Sequence, residues 1–226
     1  MTSGLRTSTS APGPPITVAT DYADWGITVS LGCLTATVTV SNGGAGLDAA
    51  MVAVLEAAPG DIAALPAIAA TRRAYKAGGK DPSRYRPSAE ALLRRLRQGK
   101  GLYRVNNVVD VTNMTSIASG FSIGMYDRGL LEGPLTLRIA TEGETYPAIG
   151  RGPINLAGLP VLCDASGPFG CPTSDSERTA ISAGTSAILM VIFDFGLPQE
   201  LPTALAQGAA WIAEHCGGRD IEESIL

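Results

Sequence analysis

Apolar positions along this chain follow two kinds of pattern. Segments 15–20 (PITVAT) and 26–40 (GITVSLGCLTATVTV) are β-branched with partial alternation and predict strands. Residues 46–57 (GLDAAMVAVLEA) then follow helical spacing as far as Pro59-Gly60. Residues 61–77 do the same as far as Gly78-Gly79, with Pro66 marking the true start of that helix. Asp81-Pro82 opens a loop. Ser88 is placed to cap a helix over 89–98, where Ala89, Leu92, Leu93 and Leu96 share a face. Residues 106–119 (NNVVDVTNMTSIAS) are ambiguous by period. Short strands are predicted at 134–140, 160–163 and 187–195; the last, AILMVIFDF, is apolar almost throughout and reads as a buried strand. Residues 199–216 predict a closing helix ended by Gly217-Gly218. Strands and helices do not alternate regularly, so the predicted class is α+β: a mixed or antiparallel sheet flanked by helices.

Composition narrows this further. With 226 residues, 45% hydrophobic and 17% charged, the chain can bury a substantial core as one domain over 15–226. Residues 1–14 (MTSGLRTSTSAPGP) are rich in Ser, Thr, Pro and Gly and lack the apolar centre of a secretory signal. They read as a disordered tail on a cytoplasmic protein. Nowhere do the roughly 18 consecutive apolar residues of a membrane span occur. Cys33, Cys163, Cys171 and Cys216 form no C-x-x-C pair, and the single histidine is His215. Metal sites need clustered ligands, so neither a metal, another cofactor nor a structural disulfide is expected. The sequence sets no oligomeric state.

Charge is spread unevenly. Residues 71–104 hold Arg72, Arg73, Lys76, Lys80, Arg84, Arg86, Arg94, Arg95, Arg97, Lys100 and Arg104, most of the 17 basic residues, against only Asp81 and Glu90. A chain whose formal net charge is −4 thus carries a local polycation. Such a stretch attracts phosphates by direct pairing and counterion release, or it forms a solvated helical face.

Three constellations could carry chemistry. Gly120-Phe121-Ser122-Ile123-Gly124 matches the G-x-S-x-G nucleophile elbow, with Asp194 and His215 following in hydrolase order. An elbow needs a buried strand before it and a helix after it, and polar residues 112–119 are no such strand. Residues 166–179 (SGPFGCPTSDSERT) crowd hydroxyl and charged groups between Gly-Pro turns, the composition of a site-bearing loop or a plain surface loop. In a helix, Asn106, Asp110 and Asn113 would form a polar stripe that faces solvent or lines a pocket.

Val108-Val109-Asp110-Val111-Thr112-Asn113, followed by Ser122-Ile123-Gly124-Met125-Tyr126-Asp127, resembles the B3/B4 editing domain of the phenylalanyl-tRNA synthetase beta subunit. It resembles free-standing bacterial B3/4 proteins more closely. DPSRYRPSAEALLRR (81–95), LRIATEGETY (137–146) and GPFGCPTSDSERT extend the likeness over about residues 70–195. In the synthetase this domain hydrolyses tyrosine wrongly attached to the phenylalanine tRNA. The resemblance carries the pocket asparagine onto Asn113. A histidine of bacterial synthetases falls on Gly124, and the glutamate that reads the tyrosine hydroxyl falls near Val191.

The resemblance implies hydrolysis of misacylated or unusual aminoacyl-tRNA in trans, or non-catalytic binding of tRNA or an amino-acid-like ligand. Hydrolysis of small esters unrelated to RNA is a third reading. The chain has no room for an aminoacylation core, so no ligase activity is expected. Candidate groups for holding water and carbonyl are Asn113, Ser174, Asp175 and Thr179, with backbone N–H groups at Gly167 and Gly170. Asn106, Asp110, Ser122, Gly124, Ser176 and Arg178 complete the expected pocket. Arg84, Arg86, Arg94, Arg95, Arg97, Lys100 and Arg104 are the expected contacts to the acceptor end of tRNA.

Overall fold

A computed structural model describes residues 15–226; the predicted tail over 1–14 lies outside them. In chain order the elements are β1 (Ile16–Val18), β2 (Ser30–Thr37), α1 (Ala45–Glu56), α2 (Pro66–Ala77), α3 (Ser88–Arg97), α4 (Asn107–Ser119), β3 (Ser122–Asp127), β4 (Leu135–Ile139), β5 (Thr145–Ala148), β6 (Gly152–Asn155), β7 (Pro160–Asp164), β8 (Gly167–Gly170), β9 (Ala187–Asp194), α5 (Leu201–His215) and β10 (Arg219–Ile225). The class is α+β, as the irregular succession of elements predicts.

The centre is an antiparallel sheet in the order β10-β2-β9-β3. A second sheet, β1-β4-β7-β8, is parallel at β1–β4 and antiparallel elsewhere, and β5–β6 form a separate hairpin. Side-chain alternation explains the layering. Ile188, Met190 and Ile192 of β9 pack with Ile123 and Met125 against α1, α4 and α5. Leu189, Val191 and Phe193 point the other way and pack against Leu135, Leu137, Leu162 and Phe169 of the second sheet. β9 is therefore buried on both faces, which is why its sequence is apolar without alternation.

Several boundaries differ from the sequence reading. The ambiguous segment at 106–119 is helix α4: Asn106 is extended (φ −161°), and its side-chain carbonyl accepts the Val109 N–H at 2.9 Å. Ser88 is not a cap but the first residue of α3; its N–H donates to the Pro172 carbonyl at 2.8 Å, tying the helix start to a distant loop. β10 follows α5 and carries mostly exposed polar residues. It is an edge strand with no buried face, so it has no apolar alternation to reveal it.

Candidate functional site

The N-terminal part of α4 and the 172–181 loop face each other across a cleft of about 390 Å³. Leu92, Val105, Val109, Ile123, Met125, Ile149 and Ile181 give it apolar walls, and Asn113, Ser174, Asp175 and Arg151 bring polar groups into it. This is the volume and balance of a small-molecule site. A groove of similar volume beside α5, near Phe121 and Gln207, has Glu200 as its only titratable lining group, so the candidate chemistry concentrates in the first cleft.

Tyrosines build this site. Tyr126 donates to Asp175 Oδ1 at 2.8 Å, Tyr146 donates to the Ser174 carbonyl at 2.7 Å, and Tyr75 bonds the Thr173 hydroxyl at 2.8 Å. All three are buried. Tyr146 holds the loop backbone and the other two hold loop side chains, while among the described residues no protein group bonds the Ser174 hydroxyl or the Asn113 amide. Tyr126 needs space to do this. A Cβ on Gly124 or Gly170 would collide with its ring and hydroxyl, at 2.9 Å from Cε2 and 2.8 Å from Cε1 respectively. Neither glycine has positive φ, so close approach of the ring, not backbone conformation, requires them.

Asp175 lies beside the edge strand β3. It is enclosed by protein yet keeps an edge on the cleft. Burial pushes its carboxyl up to about 7; the Tyr126 hydroxyl and the Met125 and Cys171 backbone N–H groups pull in the opposite direction. This combination of burial and a specific partner within a cleft marks it as a functional-site candidate.

Thus Asn113, Ser174 and Asp175 come together. Thr179 does not join them: it is fully buried and its hydroxyl has no protein partner, although Ala180 and Ile181 reach the cleft. Gly124 faces the Tyr126 ring, on the opposite side of β3 from the cleft-lining Ile123 and Met125. Val191 likewise points into the inter-sheet core. Gly167 and Gly170 pair with Asp164 and Leu162 in the β7–β8 ladder, away from the cleft lining. Ser122 is buried at the start of β3, directly after a helix, the reverse of a nucleophile elbow. Ser176 caps a 3-10 turn by accepting the Arg178 N–H. Arg178 makes a two-pronged ion pair with Asp164 at 2.8 and 3.0 Å.

Asn106 and Asp110 are structural as well. Asp110 is buried and accepts Arg104 Nε at 2.7 Å and the Val105 N–H at 3.1 Å. Arg104 also binds Asp48. This departs from the predicted phosphate contact: Arg104 already answers two carboxylates.

The remaining basic residues divide. Buried Glu90 accepts Arg72 at 2.9 Å and Arg94 at 2.8 Å, with Arg86 at 3.9 Å. Arg95 lies over the Tyr103 ring at 3.7 Å, and Lys80 over Tyr85 at 4.2 Å. Arg84, Arg97 and Lys100 are exposed and make no ion pair within 4 Å among the described residues; Arg84 lies near Tyr85 and Asp81. The cations line α2, α3 and their connection, and α3 itself forms one wall of the cleft through Ser88, Ala91 and Leu92.

Arg151, in the β5–β6 turn, went unread in the sequence; only the fold brings it to the cleft. All four cysteines are buried thiols, and burial raises Cys33 and Cys216 to about 12. No group of three or more potential metal-binding side chains occurs among the described residues, and none of their helices is long and apolar enough to cross a membrane.

Residues 70–196 match the model of the B3/4 domain family. The phenylalanine–tRNA ligase beta subunits of Brucella abortus and Brucella suis are 35% identical over 83 residues, 36% of this chain and 10% of theirs. The chain thus spans about a tenth of the length of these curated relatives. An N-terminal fragment of the phenylalanyl-tRNA synthetase beta subunit from Pyrococcus horikoshii shares the fold, with TM-score 0.50 and 13% identity over 94% of this chain and 54% of the fragment.

Proposed function

This chain belongs to the B3/4 domain family, and on that premise we propose that it binds the aminoacyl end of a tRNA and hydrolyses the ester in trans. The observation that carries this reading is the convergence of Asn113, Ser174 and Asp175 in one apolar-walled cleft beside a cationic helix. The aminoacyl side chain packs against the apolar walls. The Asn113 amide donates to the ester carbonyl, where negative charge develops. The Ser174 hydroxyl orients a water, and the Asp175 carboxylate takes its proton as the water oxygen attacks the carbonyl carbon. The tetrahedral intermediate then collapses, and the ribose oxygen leaves with the proton that Asp175 took from the water. A carboxyl near 7 suits this work at neutral pH, being a stronger base than an ordinary aspartate yet substantially ionised.

Binding without catalysis is the second reading. It draws on Gly124 and Val191, where the synthetase pattern places polar groups and this chain packs a tyrosine and a core strand.

The test is deacylation of a panel of aminoacyl-tRNAs, including tyrosyl and non-protein aromatic esters, by the purified chain. Release should exceed buffer for at least one ester. Asp175→Asn should lower that release by about 10²- to 10⁴-fold, and Ser122→Ala should leave it intact. No release from any ester would sink the hydrolase and leave the binding module.

A further inference from the structure

Tyr103 is 69% exposed, an unusual setting for a large aromatic ring. Its neighbour Val105, at 57%, lines the cleft, and Ile149, at 48%, lines it from the β5–β6 hairpin. Tyr103 thus stands two residues from a cleft-lining position, and its ring lies against Arg95 of α3, the helix that forms one wall.

The segment carrying Tyr103 is held firmly. Leu102 packs into the core, Arg104 binds Asp110 and Asp48, and the Val105 N–H donates to Asp110. Residues 102 and 104 are thus anchored, while 103 and 105 are presented outward. One face of the Tyr103 ring is covered by the Arg95 guanidinium, itself fixed by donating to the Lys100 carbonyl at 3.2 Å. Lys100, three residues before Tyr103, is exposed, and Arg151 lines the cleft; neither makes an ion pair among the described residues.

We propose that Tyr103, backed by Arg95, is a stacking platform for an unpaired nucleobase at the cleft mouth, with Lys100 and Arg151 taking the adjoining phosphates. A flat exposed ring among cations is how proteins hold single-stranded nucleic acid. The proposal rests on the reading that the cleft receives the end of an RNA. It adds which residue holds the base there. Arg104, in this arrangement, is a positioning residue.

The test is calorimetric titration of the full chain at low salt with a single-stranded RNA trinucleotide ending in adenosine, and with its abasic counterpart. Wild type should prefer the base-bearing oligomer. Tyr103→Ala should weaken that complex about tenfold and leave the abasic one unchanged; Tyr103→Phe should bind as wild type does. The platform is overturned if wild type binds neither oligomer, if Tyr103→Ala changes neither complex, or if it weakens both equally. Deacylation by the same preparations separates the two claims. A working platform with no ester cleaved overturns the hydrolase alone; cleavage with Tyr103→Ala binding like wild type overturns the platform alone.

Discussion

Tyr126 reaches Asp175 from the side of β3 opposite the cleft, and its hydroxyl donates to the carboxylate at 2.8 Å. The bond favours the charged form of Asp175 while burial disfavours it. Tyr126→Phe should therefore move the carboxyl above its present value near 7 and shift the pH midpoint of any ester cleavage upward. The lost bond should also cost about 1–3 kcal/mol of stability. A pH–rate profile beside a denaturant titration reads both effects.

The same carboxyl predicts the pH dependence of stability. Its folded value is raised from 3.8 to about 7, so over that interval the folded chain holds a proton that the unfolded chain has released. The contribution is complete below the unfolded value and is lost as pH rises through the folded one. Asp175→Asn should flatten this part of the curve. Denaturation midpoints from pH 4 to pH 8 decide it: an unchanged slope would show that Asp175 does not titrate there.

Gly124→Ala and Gly170→Ala should each destabilise by about 1–3 kcal/mol or more, because the new methyl meets the Tyr126 ring. Combining Gly124→Ala with Tyr126→Ala should cost less than the sum of the single changes. Additive costs in urea titrations would place the Tyr126 ring elsewhere.

Glu90→Gln should lower stability by about 1–3 kcal/mol, less than a wholly buried pair would lose, since Arg72 and Arg94 are 32% and 48% exposed. Thermal melts measure the loss.

Charge reversal at Arg97 and Lys100 should weaken tRNA binding and reduce its salt dependence, with melting unchanged. Arg104→Ala should instead lower the melting temperature, because Arg104 braces Asp110 and Asp48. Equal salt dependence in all these variants would mean that the cations form a solvated face.

What the sequence disclosed follows from where each residue's partners lie. β9 was legible because burial on both faces leaves an unbroken apolar run, and α2 because Pro66 and Gly78 punctuate it. α4 was not, since buried Asp110, Thr112, Thr115 and Ser116 blur its period; the three hydroxyls bond carbonyls within or just beyond the helix. Composition drew attention to the 166–179 loop, and Asn113, Ser174 and Asp175 do meet. The tyrosines that hold the loop went unread, because Tyr75, Tyr126 and Tyr146 lie far from it in sequence. Nothing in the sequence marks Gly124 as the space that the Tyr126 ring occupies. Arg104 was counted among available cations although its carboxylates were in plain view as Asp48 and Asp110; nothing in their spacing announced the pairing.

The central sheet joins distant parts of the chain: Ser30 stands opposite Asp194, and Arg219 opposite Thr37. Closing such long loops is entropically costly and makes folding slow. During synthesis β2 must wait for its β9 partner, about 150 residues later, to leave the ribosome. Folding should then proceed as a late, concerted event, and removing β9 together with everything after it should leave an aggregation-prone remnant rather than a smaller working domain.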